Sequence, residues 1–169
     1  MPIGMSWTLK DLIAKNVYWW RPLDDRALDT RAKFYKWLIK DIHYQSFQSA
    51  SLANILAWVN ITKAELYSHF VNKTELGHTV VDEVIVERIH STFIQPLPFF
   101  EIPLNGFIEL IRWSGSDLSI ADIDLCCPLT NLAQAMAPID EGFRARLVKI
   151  YEQWCQAIVI AMVRTKQVD

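Results

Sequence analysis

The residues able to do chemistry gather in the first half of the chain. Between Asp29 and Lys73 stand six basic residues, Arg31, Lys33, Lys36, Lys40, Lys63 and Lys73, against three acidic ones, Asp29, Asp41 and Glu65. That segment is +3 in a chain of 169 residues whose formal net charge is −2. A negative chain does not coat nucleic acid indiscriminately, because non-specific affinity comes mainly from phosphate neutralisation by Lys and Arg. The cluster suits a local contact with a polyanion, or equally a solvated helix face. Catalysis is poorly supplied: there is no Gly-rich phosphate loop, no nucleophile elbow and no pair of carboxylates in an apolar setting. Asp122 and Asp124 fall in an expected loop, so no enzymatic activity and no cofactor are expected. His43, His69, His78 and His90 lie on different elements without metal-ligand spacing, which predicts surface or capping roles and no metal site.

Three cysteines, two of them adjacent at Cys126 and Cys127, make neither a disulfide framework nor a C-x-x-C corner. Cys127 precedes Pro128 at an expected helix start, where the helix dipole can lower a thiol pKa and make a sensor of electrophiles. A small buried apolar residue is the other reading of that position. Cys155, beside Trp154 on a long helix, is expected to pack.

Helices must carry these groups. Glycine is scarce, with five in the chain, and apolar residues recur at three- and four-residue spacing, which predicts an all-α protein. A first segment carrying Trp7, Tyr18, Trp19 and Trp20 ends near Pro22, and its tryptophans are expected to fold back onto helices. A helix from about Thr30 to Ile42, with Asp29 or Thr30 as N-cap, faces inward with Phe34, Trp37, Leu38 and Ile42. Ser49 or Ser51 caps a short helix carrying Leu52, Ile55, Leu56 and Val59, and Asn60 suits a left-handed turn. Thr62 caps the next short helix with Glu65 in the spacing of a capping box, Leu66 and Phe70 pointing inward. Asn72 caps a fourth helix through Leu76, Val80, Val81, Val84 and Ile85 towards Ile94, stopped by Pro96 and Pro98. Beyond lie a helix from Leu104 to Trp113, an irregular stretch from Ser114 to Leu125, a helix from Pro128 to Ala137 and a long helix from Asp140 to about Lys166. The last has an apolar stripe of Phe143, Leu147, Ile150, Trp154, Ala157 or Ile158, and Ala161.

Two short helices joined by a tight turn, with one helix before and a long one after, form the frame of a helix-turn-helix. The run from Phe47 to Leu76 resembles the DNA-binding region of TetR-family regulators, most specifically in Ile61-Thr62-Lys63, Leu66-Tyr67-Ser68-His69-Phe70 and Asn72-Lys73-Thr74-Glu75-Leu76. A second likeness, in Cys127-Pro128-Leu129-Thr130-Asn131-Leu132-Ala133-Gln134 and Ile139-Asp140-Glu141-Gly142-Phe143-Arg144, is to the start of the sensing domain in one branch. The resemblance implies an N-terminal three-helix DNA-binding domain and a C-terminal helical effector and dimerisation domain, shorter than in many members. The corresponding divisions are an aromatic-rich extension over 1–28, the helix-turn-helix with its connecting helix over 29–95, and the sensing domain over 96–169.

Residue by residue, the resemblance assigns Thr62 to capping the recognition helix, its amides near a phosphate, and Lys63 to the backbone or a guanine edge. Ser51, Tyr67 and Lys73 stand where the family touches phosphates, positioning the protein without specifying sequence. Base reading falls to Lys63, Ala64, Glu65 and Ser68, Glu65 accepting from a cytosine amino group. The chain departs from the pattern at Ser46, Asn60 and Ala64, where glycine is usual, and at Leu56 and Val59, where small alanines are usual. Glu65 also brings negative charge to a polyanion. Phe93, Phe99, Phe100, Phe107 and Trp113 suit either the wall of an apolar effector pocket or ordinary core.

The implied function is a sequence-specific transcriptional regulator, a repressor released by a small apolar or electrophilic effector. Its implied partners are a double-stranded DNA operator, a second copy of itself and an unidentified small molecule. The alternative is a relative that keeps the fold and acts as a protein-interaction module without binding DNA. Lys10, Asp11 and Lys15 break up the N-terminal apolar residues, and the longest apolar run is Ala157 to Val163. Neither a secretory signal nor a membrane span is therefore expected, and a cytoplasmic location is.

Overall fold

A computed structural model describes residues 30–44, 46–116 and 127–168 of the chain. Among these residues every regular element is helical. The expected extension over 1–28, the cap at Asp29, Cys126 and the remainder of the irregular stretch over 117–125 lie outside the described residues.

Helix α1 (Thr30–Tyr44) buries Phe34, Trp37, Leu38, Ile39 and Ile42, one face at three- and four-residue spacing. A connector follows and α2 (Leu52–Val59) begins, burying Ile55 and Val59. Asn60 ends α2 in the left-handed conformation, φ 58° and ψ 53°, and its N–H donates to the Leu56 carbonyl. An Asn tolerates that backbone better than most residues other than Gly, which is why it serves in the turn. Helix α3 (Lys63–His69) buries Leu66 and is followed by the buried Phe70. Phe70 meets Phe34 edge-on, ring centroids 5.6 Å apart, and so ties α3 back to α1. Val59 and Leu56, bulkier than the expected alanines, are taken into the same core.

A continuous helix over 73–94 comes next, composed of α4 (Lys73–Val80), a π-helical segment (Val81–Ile85), α5 (Val86–Ile89) and a second π-helical segment (His90–Ile94). Four of its buried positions, Val81, Ile85, Ile89 and Phe93, are four residues apart. Strict four-residue spacing drifts by about 40° per step in an α-helix of 3.6 residues per turn. The wider i→i+5 turns take that drift back and hold all four on one side. Tyr35 donates its hydroxyl to Glu83 Oε2 at 2.7 Å, joining α1 to this helix.

After a 3₁₀ turn (Leu97–Phe99), α6 (Pro103–Ser116) packs on α8 (Glu141–Val168), with α7 (Pro128–Met136) between them in sequence. Ser114 and Gly115, expected in the irregular stretch, belong to α6. Cys127 occupies the N-cap of α7 and Pro128 its first turn, where a missing N–H costs nothing. Helix α8, roughly 42 Å long at 1.5 Å per residue, buries Phe143, Leu147, Ile150 and Ala161, with Trp154 and Ala157 half-buried. Cys155, expected to pack, instead faces solvent, because it falls off that stripe. No helix among the described residues is long and apolar enough to cross a membrane.

One seam joins the first helices to the last. Phe47 stacks edge-on against Phe143 at 4.9 Å, and His78 does so at 4.5 Å. Gly77 sits beneath: a Cβ there would come within 2.5 Å of the Phe143 ring and 2.6 Å of Phe47. His78 Nε2 lies 3.1 Å from Asp140 Oδ1, the same oxygen that accepts from the Phe143 N–H at 2.8 Å and opens α8. Gly142 leaves room for that imidazole, since a Cβ would lie 2.5 Å from it. Asp140 is held below the ordinary carboxylate range, chiefly by the Phe143 N–H and with a further contribution from His78.

Candidate nucleic-acid interface

The site is built on α3. Of its seven residues only Leu66 is buried; Lys63, Ala64, Glu65, Tyr67, Ser68 and His69 face outward. Thr62 sets the start of the helix through a complete capping box. Its hydroxyl accepts from the Glu65 N–H at 3.2 Å, while Glu65 Oε2 accepts from the Thr62 N–H at 2.7 Å and the Thr62 hydroxyl at 2.8 Å. The Thr62 amide, assigned to a phosphate by sequence likeness, is thus already engaged by Glu65, and the hydroxyl performs the capping expected of it. The backbone bond first, then the hydroxyl, pulls the Glu65 pKa below its ordinary value, so the carboxylate of this exposed residue is ionised.

The remaining groups differ in how free they are. Lys63 projects from the first position of α3, its ammonium 5.8 Å from the centroid of the Tyr67 ring, within cation–π range. Tyr67 is half-exposed. The Ser68 hydroxyl is turned back, donating to the Glu65 carbonyl at 2.7 Å. Ser51 occupies the N-cap of α2 but makes no side-chain capping bond there, leaving an exposed hydroxyl. Ala64 presents only a methyl group.

Lys73 sits apart from this face in function. Its ammonium donates to the Gln48 carbonyl at 3.2 Å and lies 4.8 Å from the centroid of the Phe47 ring, while Gln48 Nε2 donates to the Ala135 carbonyl at 2.9 Å. A lysine read from sequence as a phosphate contact therefore also clamps the connector before α2 to the start of α4 and, through Gln48, to the end of α7. Gln48 was missed because nothing in its neighbours announces a partner 87 positions away. The pairing of Lys36 with the half-exposed Trp58, 5.8 Å apart, was missed for the same reason.

The residues expected to line an effector pocket differ in exposure. Phe99 is 77% exposed; Phe100 lies against Gly106, and Phe107 is packed on the core, as is Cys127. An apolar cleft of about 130 Å³ opens elsewhere, lined by Ile94, Leu97, Pro103, Ala157 and Ala161 with Arg164 among them, and none of the four aromatics Phe99, Phe100, Phe107 and Trp113 lines it.

No family model matches the chain, and no solved structure does. Over 110 residues it is 26% identical to an uncharacterized HTH-type transcriptional regulator in the lacX 3′ region of Lactococcus lactis subsp. lactis, covering 65% of this chain and 56% of that protein. Over 117 residues it is 20% identical to the HTH-type transcriptional repressor DhaR of Mycobacterium sp. (strain GP1), covering 65% of this chain and 54% of that protein. The chain spans about half the length of the curated relatives it matches. It is thus similar, at low identity and over part of its length, to helix-turn-helix transcriptional regulators.

Proposed function

We propose that this chain is a sequence-specific DNA-binding transcriptional regulator of the TetR type, a repressor whose hold on its operator is released by a small apolar or electrophilic effector. The observation that carries the reading is the state of α3: one buried leucine anchors it, a closed capping box fixes its start, and every other side chain faces out. Such a helix can enter a major groove without rearrangement, its first residues at the base edges. Lys63 supplies charge to a phosphate or guanine, Tyr67 and Ser51 supply neutral donors to the backbone, and the Glu65 carboxylate accepts from a cytosine amino group. The similarity to proteins named as HTH-type regulators supports the same reading. Two heads from two copies would read half-sites one helical turn apart. The apolar cleft beside Arg164 is the better candidate for the effector than the four aromatics, and Cys127, half-buried at the start of α7, is the position for an electrophile.

One observation favours the interaction-module reading instead: Glu65 occupies the Thr62 amide that a phosphate would otherwise take. Selection of duplexes from a random pool, followed by titration of the winner at several salt concentrations, separates the two. A regulator enriches a near-palindromic site, binds it less well as salt rises, and loses about 1–3 kcal/mol on Lys63→Ala. Tyr67→Ala weakens binding across sequences alike. A folded protein that enriches no site is the interaction module.

A further inference from the structure

On one side of α8, Ala157 is followed at offsets of three, four and seven residues by Ile160, Ala161 and Arg164, the spacing of a single helix face. The two alanines leave a hollow there. Other elements wall it in: Ile94 at the end of the second π-helical segment, Leu97 from the 3₁₀ turn and Pro103 from the start of α6. The cleft measures about 130 Å³, close to the roughly 150 Å³ that takes a benzene ring in an apolar cavity. Its lining is apolar but for Arg164. Pro103 has no N–H to offer, and the next one along, that of Leu104, donates to Thr165 Oγ1 at 3.1 Å. The Thr165 hydroxyl is engaged in turn by the Ala161 carbonyl at 2.9 Å. Arg164 keeps its donors: it is exposed, and its side chain takes no ion pair or hydrogen bond among the described residues.

We propose that this cleft binds a small monocarboxylic acid, its carboxylate on the exposed Arg164 guanidinium and its apolar tail against Ala157, Ala161, Ile94 and Leu97. The volume sets the tail at one ring or a chain of about six carbons. The charge sets the head. A guanidinium fork meets a carboxylate with two parallel N–H donors, and the arginine stem lies along apolar surface while its charge stays in water. A neutral polar molecule finds no acceptor in the lining side chains, and a purely apolar one leaves the guanidinium unused. A second charge on the ligand would have to enter the hollow, where nothing offsets its loss of water. One carboxylate at one end of a short apolar body is therefore the chemistry that matches both parts of the site.

The inference rests on the reading of this cleft as the effector site, and binding is measured first without DNA so that the two can fail separately. The whole chain is titrated calorimetrically with acetate, butanoate, hexanoate and decanoate, and with the neutral hexanamide. Affinity is expected to rise from acetate to hexanoate, by up to about fourfold per methylene, and to level off by decanoate. Hexanamide should bind about fivefold more weakly than hexanoate, the size that an ion pair open to solvent reaches. Arg164→Gln, at an exposed position, should leave the unfolding curve and the hexanamide affinity unchanged while removing the advantage of hexanoate; a loss of packing would lower both ligands alike. No binding of any acid, hexanoate bound no better than hexanamide, an affinity indifferent to chain length, or an advantage that survives Arg164→Gln would each overturn the proposal. Hexanoate bound as expected, with no effect on the protein's hold on a selected duplex, upholds the site and removes only the effector reading.

Discussion

Helices α3 and α8 both turn most of their surface outward, yet they do so in opposite ways. Around the start of α3 most polar groups already have a local bond: Thr62 and Glu65 satisfy one another and Ser68 bonds the Glu65 carbonyl, while Lys63 projects outward. Its shape is finished before any partner arrives. The outward face of α8 instead leaves Val148, Val159, Met162 and Val163 about half exposed, with Glu152 and Lys166 among them. One face is set by polar bonds within its own helix, and the other is apolar and open. What links them is the seam of Phe47, Gly77, His78 and Phe143, which makes the start of α8 part of the support of the helix-turn-helix.

The largest effect should come from breaking that support. Phe143→Ala removes a fully buried ring and is expected to cost about 3–5 kcal/mol in chemical denaturation. The signals of α1–α3 and of α8 should be lost together; a helix-turn-helix that outlives α8 would mean that the two regions stand independently. Gly77→Ala comes next, at about 1–3 kcal/mol, since the added methyl would displace both Phe47 and Phe143. An unchanged midpoint in that variant would show that the seam yields freely.

Smaller and opposite in sign is Ser46→Gly. Ser46 has φ 153°, where a side chain is strained, and its hydroxyl gives only long contacts of 3.3 Å and 3.4 Å to Ser49. Glycine should therefore raise stability by about 1 kcal/mol in thermal melts; a loss would mean that the Ser46–Ser49 contacts outweigh the strain.

The smallest expected effect is on pH dependence. Glu65 and Asp140 both have pKa values lowered in the folded state. Their contribution is complete above the unfolded carboxylate range and disappears as pH falls through the lowered values. Glu65→Gln should flatten part of that acid loss, read as the slope of stability against pH; an identical slope would show that the capping box does not titrate with folding.

Sequence periodicity was enough to locate the helices because the pattern is written locally: Thr62 with Glu65, Asn60 in its turn and the stripe of Phe143, Leu147 and Ile150 are all within a few residues of what they shape. Helix ends shifted by one to three positions, as at Tyr44 and Ser116, since the terminal turns depend on what they pack against. The surface of α3 was legible too, from the single inward Leu66. Illegible were Lys73 on Gln48, Gln48 on Ala135, His78 on Asp140 and the need for glycine at 77 and 142, because each depends on groups far apart in the chain arriving at one place. The two π segments, the solvent exposure of Cys155 and Phe99, and the separation of the apolar cleft from the aromatics belong to that same class. The sequence by itself determined the helices and the chemistry each displays; only the tertiary structure decided which of those groups were used inside the protein and which were left facing out, since burial and partnership are properties of packed neighbours and not of residue order.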